Sequence, residues 1–273
     1  MRNKKIILLY GFKRGGTNIT WNILQSHPTI CSPVFETKEL FNRSKKLKIV
    51  YKLNHYWTGR NIVDKELFHF KMENLNHIDN KYFSEDALYT KDILKNCALC
   101  MKSVNDQMIY TDVILKAYPD LFFIALTRNG YALAEGYLRR GMSASDAGKI
   151  YYSVSEEMKR MSTTISRFKL IKFEDVVNDP FGISKELFQF VEVKPSELGK
   201  LRFKSKKIIS EQGIHKIRFG KEHRKCWVDK DNVTKIIDKR IGEKQISLLS
   251  SNDIKSFNRE AKSALQYFGY EIL

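Results

Sequence analysis

The sequence has few prolines, few cysteines and no long apolar run, and each scarcity narrows what the chain is. Five prolines in 273 residues, with no glycine- or serine-rich tract and no internal repeat, leave no recognisable linker, so one domain is expected. No stretch reaches the roughly 18 apolar residues of a transmembrane helix, so no membrane span is expected. The N-terminus is basic and then apolar over Ile6 to Tyr10, a run of about five residues and shorter than the core of a signal peptide. It leads straight into Gly11-Phe12-Lys13-Arg14 and reads as a buried strand of an intracellular protein. Of the four cysteines, Cys97 and Cys100 have CxxC spacing. No second such pair and no histidine pair accompanies them, which argues against a zinc site, and no metal is expected. They lead into an apolar strand-like run instead of opening a helix, which argues against a redox motif. A reduced, cytoplasmic setting fits this cysteine usage.

Acidic residues are the other shortage. Lys and Arg number 48 against 31 Asp and Glu, a formal net charge of +17. Such a field attracts polyanions, whether nucleic acid, an anionic membrane or a highly phosphorylated small molecule. Hydrophobic residues at 42% and aromatic residues at 12% are enough for a sizeable core.

Short apolar runs alternate with amphipathic ones. Strands are expected over 5–10, 99–104, 121–127 and 168–173, and helices over 18–25, 106–118, 132–140, 145–166, 181–191 and 251–268, with Gly269 placed to stop the last. Continuous apolar strands between helices indicate an α/β fold, three layers with a central, mainly parallel sheet flanked by helices. The core is expected over about 4–192, with a helical C-terminal part over 232–273. Residues 202–225 carry nine Lys or Arg against two Glu without clean periodicity. They read equally well as a basic loop or lid extending to about 230 and as a solvated surface segment. Residues 40–95 and 195–230 read as variable loops.

Between the first strand and the first helix lies Gly11-Phe12-Lys13-Arg14-Gly15-Gly16-Thr17-Asn18. Glycines permit a tight turn, and a helix N-terminus offers free N–H groups, so the segment is an anion cradle to which Lys13 and Arg14 add charge. Gly11 and Gly16 have the spacing of the nucleotide-triphosphatase P-loop. Thr17 stands where that loop has its lysine, and no magnesium ligand follows, so the loop is P-loop-like without kinase equipment. Arg14-Gly15-Gly16-Thr17-Asn18 resembles the 5′-phosphosulfate loop of sulfotransferases that use 3′-phosphoadenosine 5′-phosphosulfate (PAPS), which runs Lys/Arg-Ser-Gly-Thr-Thr/Ser. Gly15 and Asn18 depart from it. The resemblance implies that Lys13, Arg14, Gly15, Gly16, Thr17 and Asn18 bind the donor and that Arg14 also serves the transfer.

A second anion site is expected where the strand at 121–127 ends in Arg128-Asn129-Gly130, because ligands gather at the carboxyl ends of parallel strands. It is similar to the family's Arg-Asn-Pro segment, whose Arg and a Ser eight residues later hold the 3′-phosphate. Here that Ser position is Gly136, kept in the donor-binding set without a hydroxyl, and Arg128 is the main candidate. Arg139 and Arg140 read as a solvated helix end. Two anion sites suit a nucleotide phosphorylated at both ends of its ribose. Phe173-Glu174-Asp175, with Pro180 downstream, resembles the family's Tyr-Glu-Asp-Leu segment, and its acids read as structural. Arg218 and Lys221, before Trp227, resemble the family's Arg-Lys-Gly clamp on the 3′-phosphate.

Lys102 is a charge inside an apolar strand, which demands an explanation. It matches the lysine of the family's Lys-Thr-His segment, which implies a role on the transferring group. Val104 stands where that segment has its His, so the base comes from elsewhere. Glu36, downstream of His27-Pro28, resembles the base of tyrosylprotein and several bacterial sulfotransferases. His55 is the reserve base, and His27 reads as structural. The resemblance thus implies sulfuryl transfer from PAPS to a hydroxyl or amine of a carbohydrate, lipid, peptide or small molecule. The rival readings are a nucleotide-dependent kinase or NTPase and a non-catalytic nucleic-acid-binding protein. No zinc finger, helix-turn-helix or RNP-type motif supports the latter, so no specific nucleic acid is expected.

Overall fold

The computed structural model describes residues 5–53, 56–77, 80–84, 86–105, 108–194, 198–204, 207–210, 213–216 and 225–273. His55, Arg218 and Lys221 lie outside the described residues. The central sheet consists of β1 (Ile6–Gly11), β2 (Ile30–Cys31), β3 (Ala98–Val104), β4 (Phe122–Thr127) and β5 (Phe168–Lys172). All its pairings are parallel, and the strand order is β2-β3-β1-β4-β5. Every residue of β1, β3 and β4 is buried, as expected of strands covered on both faces. The pleat sends alternate side chains to opposite faces. Ile6, Leu8 and Tyr10 enter one core, and Ile7 and Leu9 enter the other.

The helices follow in chain order. They are α1 (Thr17–Leu24), α2 (Thr37–Arg43), α3 (Lys45–Leu53), α4 (Tyr56–Met72), α5 (Lys91–Asn96), α6 (Met108–Ala117) and α7 (Gly130–Leu138). Then come α8 (Ala144–Thr164), α9 (Phe173–Asn178), α10 (Pro180–Phe190), α11 (Val233–Ile236), α12 (Ile241–Ile246) and α13 (Ser251–Tyr267). Helices α1, α9 and α10 cover one face of the sheet, through Ile23, Val176 and Leu187 among others. Helices α2 to α8 and α13 cover the other. Local chemistry sets several ends. Asp179 caps α10, whose first residue is Pro180. Ser250 and Asp253 form a capping box on α13, and Gly269 follows it with φ +69°.

Two expectations fail. Residues 40–95 are not loops but largely α2 to α5. Leu40, Ser44, Leu47 and Val50, then Val63, Leu67 and Phe70, are buried at three- and four-residue spacing, which is the helical period. The described residues of the basic segment over 202–225 are strands and not a plain loop. Strand β6 (Lys200–Lys204) pairs antiparallel with β9 (Lys225–Asp229), and β7 (Lys207–Ser210) with β8 (Gly213–Lys216). Leu201, Phe203 and Val228 pack into the core on the α1 face. A buried Arg202 between Leu201 and Phe203 masks that alternation in the sequence.

His27 joins α1 to β2 and is fully occupied. Its Nδ1 accepts the Thr29 amide at 3.1 Å, so Nε2 carries the proton and donates to the Lys194 carbonyl at 2.8 Å. The ring packs on Phe188 at 4.9 Å between centroids. Burial holds its pKa below the ordinary 6.5. A depressed pKa means the unfolded chain binds the proton more readily, so this contribution is complete above about 6.5 and is lost as pH falls below it. His27→Asn, which keeps an acceptor but does not titrate, should flatten the acid side of a plot of melting temperature against pH; an unaltered slope would exclude His27 as its source.

Candidate active site

The strand order places the carboxyl ends of β3, β1 and β4 side by side, and Lys102, the loop after β1 and Arg128 sit along that edge. After β1 the chain turns through residues 12–16. Arg14 and Gly16 both have positive φ, +73° and +92°. Such turns aim successive N–H groups into one concavity. The amides of Gly16, Thr17 and Asn18 open α1 without a main-chain acceptor among the described residues, as the first turn of a helix leaves them. Gly16 is required twice over. Its φ suits glycine, and a Cβ there would fall 2.0 Å from Cδ2 of Phe173. Phe173 is the residue standing where the resemblance has Tyr, and it closes over the loop.

The loop is held from below. Asn105, immediately after β3 with φ +47°, accepts the Lys13 amide on Oδ1 at 2.8 Å and donates to the Tyr137 hydroxyl at 3.2 Å. The Tyr137 hydroxyl donates to the Lys13 carbonyl at 3.0 Å. The N–H and the carbonyl of Lys13 are thereby held from the residue after β3 and from α7.

Lys102 lies at the carboxyl end of β3 and is 2% exposed. Its Nζ is 2.7 Å from Oε1 of Glu36, whose side chain is 39% exposed. It also donates to Oδ1 of Asn18 and sits 4.9 Å from the centroid of the Trp21 ring. Burial lowers the Lys102 pKa, Glu36 opposes that shift, and Lys204 reinforces it. The Thr37 hydroxyl binds the Lys102 carbonyl at 2.9 Å and fixes the start of α2 beside it.

Arg128 follows β4 and is 6% exposed. It donates to the Arg14 carbonyl at 2.8 Å and to Gln245, and stacks on Phe173 at 4.4 Å. Its Nε has no partner among the described residues. Burial lowers its pKa against the pull of Glu174. Glu174 accepts the Asn129 amide at 3.0 Å and the Tyr270 hydroxyl at 2.8 Å. The exposed Arg139 pairs with the buried Glu135 at 3.2 Å.

Two adjoining clefts result. One, about 510 Å³, is lined by the loop, with Lys13, Arg14, Arg128 and Phe173 on its walls. The other, about 560 Å³, has Trp21, Asn22, Phe35, Glu39, Asn42 and Lys204. Asn18, Glu36, Lys38 and Lys102 belong to both. Among the described site residues, the sequence-predicted Lys13, Arg14, Gly16, Thr17, Asn18, Glu36, Lys102 and Arg128 thus converge on the first cleft. Gly15 is buried within the turn and donates its amide to the Phe12 carbonyl at 2.9 Å. Gly136 lies in α7 behind Arg128, facing Gln245. Sequence reasoning missed Asn105, Tyr137, Trp21 and Gln245. Only Asn105, a polar residue ending an apolar strand, left a readable trace.

The fold thus sets a Gly-rich, cationic loop at the centre of its sheet with a buried lysine beside it. A sequence model of the sulfotransferase family matches residues 7–197, and the chain belongs to that family. No curated protein matches the chain. Among solved structures, the sulfotransferase domain from the Synechococcus PCC 7002 olefin synthase aligns with a TM-score of 0.60 at 17% identity, covering 100% of this chain and 98% of that one. The sulfotransferase domain from the curacin biosynthetic pathway gives 0.58 at 16% identity, covering 100% of each. At those identities the likeness is one of fold. No helix among the described residues is long and apolar enough to cross a membrane.

Tyr137→Phe removes both hydrogen bonds of the hydroxyl and keeps the ring. At about 1 kcal/mol for each bond, binding of a nucleotide phosphate to the loop should weaken about 5- to 30-fold by calorimetry. Unchanged affinity would mean that the loop holds its shape without the clamp.

Proposed function

We propose that this chain is a PAPS-dependent sulfotransferase that transfers the sulfuryl group to a hydroxyl or amine acceptor. The observation that carries the proposal is the Lys102–Glu36 ion pair, 2.7 Å long, at the boundary common to both clefts. The loop cleft suits the donor. Its amides, Lys13 and Arg14 fit the 5′-phosphosulfate, and Arg128, with a buried N–H to spare, fits the 3′-phosphate. The Thr17 position offers no lysine for a triphosphate, which disfavours the kinase reading.

Sulfuryl transfer resembles phosphoryl transfer, with attacking and leaving oxygens in line, so positioning and electrostatics dominate. A bond forms from the acceptor oxygen or nitrogen to sulfur while the bond from sulfur to the phosphate oxygen breaks. The products are the sulfated acceptor and 3′,5′-adenosine bisphosphate. Glu36 takes the acceptor proton, and Lys102 and Arg14 offset the negative charge on the sulfuryl and bridging oxygens. The second cleft receives the acceptor. Its aromatic side chains, Trp21 and Phe35, beside the amides of Asn22 and Asn42, fit a carbohydrate, which stacks on rings and bonds to amides.

Calorimetric titration with 3′,5′-adenosine bisphosphate, with ATP and AMP as controls, tests the donor. Metal-independent binding selective for the bisphosphate is expected; preference for magnesium-ATP would put a kinase in its place, and steeply salt-dependent RNA binding without nucleotide affinity would favour a nucleic-acid-binding protein. Arg14→Ala and Arg128→Ala should each raise the donor KM. Glu36→Gln should lower kcat about 10²- to 10⁴-fold with donor binding intact, the range for a lost general base. Near-normal turnover would remove Glu36 from that role. Lys102→Ala should lower turnover more than binding, and the reverse pattern would make it a substrate-positioning residue.

A further inference from the structure

Helix α12 lies beyond the family-matched residues 7–197 and buries none of its own side chains. One of them, Gln245, reaches inward to α7. Its Oε1 accepts from Nη2 of Arg128, and its Nε2 donates to Oε2 of Glu135 at 2.7 Å. Glu135 is buried, and its other oxygen pairs with Arg139 at 3.2 Å. The Gln245 amide also stands over Gly136. A Cβ built on Gly136 would meet nothing within 4 Å except Nε2 of Gln245, at 3.9 Å. The amide therefore borders, at van der Waals distance, the space into which a side chain at position 136 would project.

Arg128 needs such a support. Its guanidinium is nearly dry, one N–H faces no partner among the described residues, and Nη1 is committed to the Arg14 carbonyl. Phe173 fixes one face of the plane. Without Gln245 the Nη2 side would have no anchor among the described residues, and the plane would be free to turn about the bond to the loop. A planar fork recognises a phosphate only in a defined orientation.

We propose that Gln245 is a positioning residue that sets specificity for the donor's 3′-phosphate. It orients Arg128 and supplies, from outside the family-matched segment, the polar support that a glycine at position 136 does not give. The proposal rests on the sulfotransferase reading above and extends it to the choice between a bisphosphate and a 5′-monophosphate nucleotide.

The test is calorimetric titration of wild type, Gln245→Ala and the double variant Gln245→Ala/Gly136→Ser with 3′,5′-adenosine bisphosphate and with AMP. Gln245→Ala should weaken bisphosphate binding about tenfold, the scale of one hydrogen bond to a charged group, and leave AMP binding as it was. AMP binding also reports that the variant is folded. The serine in the double variant fills the vacated space and should recover most of the loss. Equal weakening of both nucleotides would reduce Gln245 to a general structural contact and overturn the proposal. An unchanged preference for the bisphosphate would overturn it as well, while leaving the sulfotransferase reading standing. A wild type indifferent to the 3′-phosphate would overturn both.

Discussion

An ammonium group buried at the carboxyl end of β3 is the constraint to which the site answers. A charge removed from water costs several kcal/mol unless it is paired and hydrogen-bonded. Lys102 meets that demand with three partners from two elements. Asn18 and Trp21 come from α1, and Glu36 comes from the residue that precedes α2. The same lysine holds its counter-ion in place through its backbone, because Thr37 binds the Lys102 carbonyl. The start of α2 is therefore tied to β3 twice, once by charge and once by a buried hydrogen bond. Trp21 is itself fixed, its indole N–H donating to the Cys100 carbonyl at 3.1 Å. Displacing any of these groups disturbs the others, which is what makes the pair a rigid reference point between the two clefts.

The loop is organised by the same edge of the sheet. With β1 flanked by β3 and β4, the turn after β1 is bracketed by Asn105 on one side and Arg128 on the other. Asn105 fixes the Lys13 peptide, and Arg128 fixes the Arg14 carbonyl. Two consecutive residues with exposed, cationic side chains thus have their backbones anchored by neighbouring strands. The left-handed turn at Gly16 then swings the chain into α1 beneath Phe173. Conformation, not composition alone, converts the Gly-rich segment into a cradle of amides.

The sheet was legible because β1, β3 and β4 are mostly apolar without alternation, a pattern that burial on both faces explains. The loop was legible because glycines and cations fall between such a strand and a helix. Lys102 announced itself as a charge in an apolar run. Helices α2 to α5 escaped notice although Leu40, Leu47, Val50, Val63, Leu67 and Phe70 carry the helical period, because charged residues crowd between them. Strand β6 escaped because Arg202 is buried between two apolar neighbours. Tyr137 and Gln245 were beyond sequence reasoning for a different reason. Each acts on residues distant in sequence, Tyr137 on Lys13 and Gln245 on Arg128, and nothing local in α7 or α12 marks them out.

A net charge of +17 does not by itself choose between a nucleic acid and a small anion, but its distribution around the clefts argues for the latter. Lys13, Arg14, Lys102 and Arg128 converge on one concave space, whereas a duplex or a single strand is met by cations spread along an extended path. Two of the four are nearly buried, and each donates to protein acceptors, so they are placed for one ligand geometry. The acids complete the asymmetry. Glu36 and Glu39 line the neighbouring cleft together with Lys38, Lys102 and Lys204 and the rings of Trp21 and Phe35. The loop cleft sets five cations against the one carboxylate of Glu36, and the neighbouring cleft three against two, so the more positive loop end suits the proposed anionic donor. Under the proposed function that difference favours transfer from the loop cleft toward the mixed one, across the Lys102–Glu36 pair that lines both.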